Sequence, residues 1–189
     1  MTGTSVTKIC VVLRLTRLNS IVCWQKLEEQ CGIVISNLAI IEGVTTLELR
    51  EFADELGSVL HMLRADDPDF INFGECYFSE ILPGSIKAWK LHHEQTQNIA
   101  VPVGRVQLVI YDDRAESSTN GSLQLLELGR PDSYLRVKIP PRLWYGFACV
   151  GSAPALLANC ADLPHNPNES ERKPAFDQSI PYNWQAQNI

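Results

Sequence analysis

The chain has 189 residues, 45% of them hydrophobic and 20% charged, with a formal net charge of −6. That length suits one domain able to bury a core of its own. The acidic balance argues against a nucleic-acid or anionic-membrane partner, and no apolar run reaches the roughly 20 residues of a membrane span.

Residues 1–40 read as an N-terminal extension. "ICVVL" and "GIVISNLAII" are β-like, and between them "NSIVCWQKLEEQCG" suits a short helix capped by Asn19 or Ser20 and ended by Gly32. From 41 to 189 the texture is all-β. Short runs rich in β-branched and aromatic residues follow one another: "VTTLELREF", "CYFSEIL", "SIKAWKLHH", "NIAVPVG", "RVQLVIYDD", "SLQLLELG", "YLRVKIP", "YGFACVG" and "ALLANCAD". Turn residues separate them, and Asn120-Gly121 marks a hairpin between two alternating runs. Many short strands at this spacing predict a sandwich or small barrel. There is no βαβ rhythm and no phosphate-cradling glycine loop.

Six cysteines and four histidines occur without a CxxC or any zinc-finger spacing. With no secretory signal, this predicts reduced thiols in a cytoplasmic protein. The "ADDPD" stretch at 65–69 reads as a solvated loop, and His165 as a surface residue.

The chemistry concentrates in "KAWKLHHEQTQNIAVPVG", residues 87–104. On a strand, alternate side chains share a face. Lys90 and His92 therefore face one way, and Trp89, Leu91 and His93 the other. Lys87 is out of phase with Lys90 and joins it only through a bulge.

The spacing Gly84-x5-Lys90-x-His92-x4-Gln97-x6-Gly104 resembles the first cupin motif, with Lys and Gln at two positions where cupins hold metal. Tyr145 falls at the histidine of the second motif. The resemblance implies a cupin double-stranded β-helix, or jelly-roll, barrel without a metal or other cofactor. A narrower resemblance is to dTDP-4-dehydrorhamnose 3,5-epimerases and related nucleotide-sugar enzymes. It rests on "DELGSVL", "GSIKAWKLH", "VPVGRVQLVIYDDR", "KIPPRLWYGF", and "HNPNESER" followed by "IPYNW".

Residue by residue, that likeness puts the family's catalytic His on Lys90, its Tyr on Ala158 and its phosphate-binding Arg on Lys87. Two nucleotide-holding residues fall on Glu75 and Tyr77, and the Arg of D-x-R-G on Leu56. The late motif that gives the catalytic His an Asp partner has no counterpart. In the related sugar 3,4-ketoisomerases, Lys90 and His92 occupy the two histidine positions of R-G-G-H-A-H.

The resemblance implies proton abstraction beside a ketone. His92, near an ordinary pKa of ~6.5, would carry the proton, Lys90 would polarise the keto oxygen or act as base, and Tyr145 would donate. Lys87, Trp89, His93, Gln97, Glu75, Tyr77, His61 and Trp144 are the candidate substrate-binding residues. The expected activity is epimerisation of a nucleotide-linked 4-keto-6-deoxy sugar by a homodimer. A 3,4-ketoisomerase and a non-catalytic sugar-binding cupin are the alternatives.

Overall fold

A computed structural model describes residues 39–186. The short helix and the two β-like runs expected in the N-terminal extension lie essentially outside the described residues. The described part holds twelve strands. They are β1 (Thr45–Glu48), β2 (Glu51–Asp54), β3 (Gly57–Leu60), β4 (Glu75–Ile81), β5 (Ile86–His92), β6 (Gln97–Val103), β7 (Arg105–Tyr111), β8 (Leu123–Gly129), β9 (Leu135–Ile139), β10 (Trp144–Cys149), β11 (Ala155–Ala161) and β12 (Ser170–Arg172). Among the described residues the only helical element is a short 3-10 turn, Trp184–Ala186, and no helix is long and apolar enough to cross a membrane.

Two five-stranded antiparallel sheets, ordered β1-β9-β6-β11-β4 and β12-β5-β10-β7-β8, face each other, and β2-β3 forms a separate hairpin. This is the cupin jelly roll. The run "VTTLELREF" is broken at Leu49-Arg50 into β1 and β2, which belong to different sheets. The β7–β8 hairpin forms as expected, but residues 112–122 make a long loop rather than a two-residue turn. Buried Asp112 accepts hydrogen bonds from Arg114, Ser117 and Thr119, which offset its burial and hold its carboxyl well below the usual range.

Alternation produces two cores. Inward residues of both sheets, including Ile99, Leu108, Ile110, Phe147 and Leu157, form the first. The second lies outside β5 and β10, where Trp89, Leu91 and Trp144 pack beneath Ile180 and Trp184 of the C-terminal segment. Gly146 permits that second layer: a Cβ there would lie 2.4 Å from Cβ of Ala88.

The "ADDPD" stretch is more than a solvated loop. Asp67 and Asp69 both pair with Arg136, whose side chain is fully buried on β9, so the loop is tied down over its sheet. A buried guanidinium without such partners would carry an uncompensated desolvation cost.

Candidate active site

Between the sheets lies a cavity of about 490 Å³. One wall comes from β5, β10 and β12. Lys90 pairs with Tyr145 on one side and with Arg172 on the other. The β5–β10 register slips between Tyr145 and Phe147, so Phe147 faces Lys87. This slip is the bulge that strand parity required, and it brings Lys87 and Lys90 to the same cavity. Four cationic residues, Lys87, Lys90, Arg172 and Lys173, thus line the cavity, and no carboxylate stands among its lining residues. In a chain of net charge −6, this is a local inversion of sign.

The other wall comes from β4, β6 and β11 and is neutral. Tyr77, Ser79, Ile99, Leu157 and Asn159 contribute. The Asn159 amide donates to the Tyr77 hydroxyl at 2.8 Å and to Gln97 Oε1. Gln97 in turn donates to Gln95, which donates to the Leu163 carbonyl. Gln97, expected to touch substrate, is instead the buried middle of this chain, behind the wall. Glu75 points to the same interior without reaching the cavity, and its charge is felt by Lys90 and Tyr77.

Among the described residues Lys90 makes no side-chain hydrogen bond or ion pair, and burial, then Arg172, pulls its ammonium pKa below the ordinary value. Burial raises the Tyr145 phenol well above its usual range, so it stays protonated and able to donate. Lys87 donates to the Ser79 hydroxyl at 2.9 Å and to the Glu80 carbonyl at 2.6 Å, which anchors it at the rim.

His92 lies deeper. Its ring stacks on Tyr145, with centroids 6.1 Å apart. Nδ1 meets Glu169 Oε2 at 2.7 Å, and Glu169 also accepts from the backbone of Glu94 and Gln95. Nε2 is buried with no partner, as is Oδ1 of Asn159. Burial lowers the His92 pKa more than Glu169 raises it, with Lys90 adding to the lowering, so the imidazole is held neutral. Histidine had no visible acidic partner in the sequence. Glu169, 77 residues away in the "NESER" stretch, supplies one.

Several expected binding residues sit elsewhere. His93 points away from the cavity, as parity required, and pairs with Glu171 at 3.2 Å. His61 packs on Phe52 beside a second cavity, far along the chain from these strands. Trp144 is in the outer core, bonded to Asp113 and covered by Lys173. Trp89 borders the cavity, but its ring is committed to Tyr182 and Trp184 on the outer face. His93, His61 and Trp144 are absent from the cavity lining, and the Trp89 ring at its border packs against Trp184 and edge-on to Tyr182. Arg172 and Asn159 were not foreseen. Arg172 ends the "HNPNESER" stretch and was legible only as part of that motif.

No family model matches the chain. It is 33% identical over 151 residues to the probable low-salt glycan biosynthesis epimerase Agl13 of Haloferax volcanii, covering 78% of this chain and 96% of the relative. The chain belongs to the dTDP-4-dehydrorhamnose 3,5-epimerase-like cupins. A solved member, the dTDP sugar isomerase of Desulfovibrio desulfuricans G20, is 52% identical with a TM-score of 0.77, over 79% of this chain and 98% of that one. The dTDP-4-dehydrorhamnose 3,5-epimerase of Elizabethkingia anophelis NUHP1 shares the fold at 21% identity and a TM-score of 0.66, over 78% and 84%. In this chain Lys90, Tyr145 and Arg172 line up across β5, β10 and β12.

Proposed function

We propose that this protein is an isomerase that epimerises a dTDP-linked 4-keto-6-deoxy sugar for polysaccharide or deoxysugar biosynthesis. The observation that carries this reading is the cavity's charge: four cationic residues against a neutral wall in an acidic protein. Such a site attracts a dianionic diphosphate and stabilises an enolate. The 52% identical relative, whose name states a dTDP sugar isomerase, supports the same ligand class.

Hydrogens on C3 and C5 of a 4-keto sugar are acidic. Lys90, the unpaired amine on the wall, removes one as general base. Arg172 and Lys87 carry the negative charge of enolate and diphosphate. A phenol returns the proton, Tyr145 beside Lys90 or Tyr77 on the facing sheet. The geometry favours this assignment over His92 as proton carrier, because His92 is behind Tyr145 rather than on the wall. The His92–Glu169 pair then positions Tyr145. The buried, unpartnered Oδ1 of Asn159, on the cavity wall, leaves polar capacity for a sugar hydroxyl.

The reaction belongs in the cytoplasm, where nucleotide sugars are available and the free Cys76, Cys149 and Cys160 are stable. The acting form is a homodimer. Phe52, Leu56 and Val59 of the β2–β3 hairpin are 54%, 91% and 63% exposed, an apolar surface suited to a second copy. Light scattering should give twice the chain mass at micromolar concentration; a monomer contradicts this.

The test is product analysis by NMR after incubation with a dTDP-linked 4-keto-6-deoxy sugar. Inversion at C3 or C5 supports epimerisation. A keto group moved to C3 identifies a ketoisomerase, and an unchanged bound sugar a binding protein.

A further inference from the structure

Cys76 on β4 and Cys160 on β11 are directly opposite in the antiparallel register. Their side chains project from the outer side of the sheet, away from the cavity reached by their neighbours Tyr77 and Asn159. Cys76 is exposed and Cys160 buried. The Cys160 thiol donates to Cys76 Sγ at 3.4 Å, so the two sulfurs are already in contact. Directly opposite residues in such a pair have Cα atoms about 4.5–5.5 Å apart, within the span a disulfide bridges. Closing the bond needs the sulfurs to approach by about 1.4 Å, to ~2.0 Å. Among the described residues β4 is the edge strand of its sheet and pairs in the ladder only with β11, so one side of it is unconstrained by a neighbouring strand.

We infer that Cys76 and Cys160 form a thiol–disulfide exchange site that reacts with small-molecule disulfides of the glutathione type. Cys76 is the attacking residue, since it is accessible and accepts rather than donates the sulfur hydrogen bond. Its thiolate attacks one sulfur of the reagent, the reagent's S–S bond breaks, and one thiolate leaves. Cys160 then gives its proton to solvent, attacks the Cys76 sulfur and expels the second thiolate. Two protein thiols are oxidised and one disulfide is reduced to two thiols. Burial, together with Cys76, raises the Cys160 thiol to about 12, so Cys160 is not the first nucleophile; its role as resolving partner rests on its contact with Cys76. The bond would clamp β4 to β11 one residue from the Tyr77–Asn159 hydrogen bond on the cavity wall.

The test is treatment of the full chain with oxidised glutathione, followed by peptide mapping without reduction. The parent should yield a Cys76–Cys160 crosslink that dithiothreitol reverses. Cys160→Ser should retain glutathione on Cys76, and Cys76→Ser should leave Cys160 unmodified. A lasting glutathione adduct on Cys76 in the parent, an unreacted Cys76, or a crosslink of either residue to another cysteine would overturn the inference. The mapping does not involve the sugar substrate, so it stands or falls apart from the proposed activity.

Discussion

The two faces of β5 put neighbouring residues to opposite uses. The inner face carries Lys90 and His92, polar groups held in a partly dry interior, with Lys87 at its exposed rim. The outer face carries Trp89 and Leu91, packed under Ile180 and Trp184. Desolvating the inner groups costs stability, while fully burying a large apolar side chain returns about 1.5–3 kcal/mol. The strand therefore stays in place because its outer side is well packed, and its inner side is left free for chemistry. Substitutions on the two faces should separate accordingly.

The largest effect should come from the inner face. Lys90→Met removes the proposed base and should slow turnover by about 10²- to 10⁴-fold, with the melting temperature unchanged or raised. The pH profile checks the same residue. Because burial lowers the Lys90 pKa, the neutral amine grows as pH rises toward that lowered value. The kcat/KM of the parent should therefore climb with pH and level off below the usual lysine range. That limb should vanish in Lys90→Met.

On the outer face the expected loss is of stability. Trp184 is 1% exposed and packs on Trp89, so Trp184→Ala should cost about 3–5 kcal/mol in denaturant unfolding. Turnover per folded molecule should stay within the same order of magnitude.

A smaller change tests the position between the faces. Glu169→Gln keeps the shape but weakens its hold on His92 Nδ1 and on the backbone of Glu94 and Gln95. It should reduce kcat by less than Lys90→Met does and leave KM unaltered. Smallest is His93→Ala, whose exposed ion pair with Glu171 is worth at most about 1 kcal/mol, with no change in turnover.

Much of this contrast was legible in the sequence. The alternation across residues 89–93 put Lys90 and His92 inside and Trp89, Leu91 and His93 outside, as found, because a period of two is imposed by the pleat itself. The strands from β4 to β11 followed the runs of β-branched and aromatic residues between turn signals. What stayed hidden depends on contacts remote in sequence. The bulge that turns Lys87 inward has no marker in "KAWK"; it arises because β10 pairs with β5 out of step. Glu169 reaches His92 only after the C-terminal segment folds back across β5. The short β3 and β12 lack a hydrophobic pattern, since both are largely exposed.

In the proposed mechanism Lys90 abstracts a proton beside a ketone. Its most direct test follows deuterium incorporation at C3 and C5 of a dTDP-linked 4-keto-6-deoxy sugar in deuterated water, comparing the parent with Lys90→Met by NMR. Rapid exchange in the parent and its near-complete loss in the variant is the expected result. Equal exchange in both, or none in the parent, would contradict the claim.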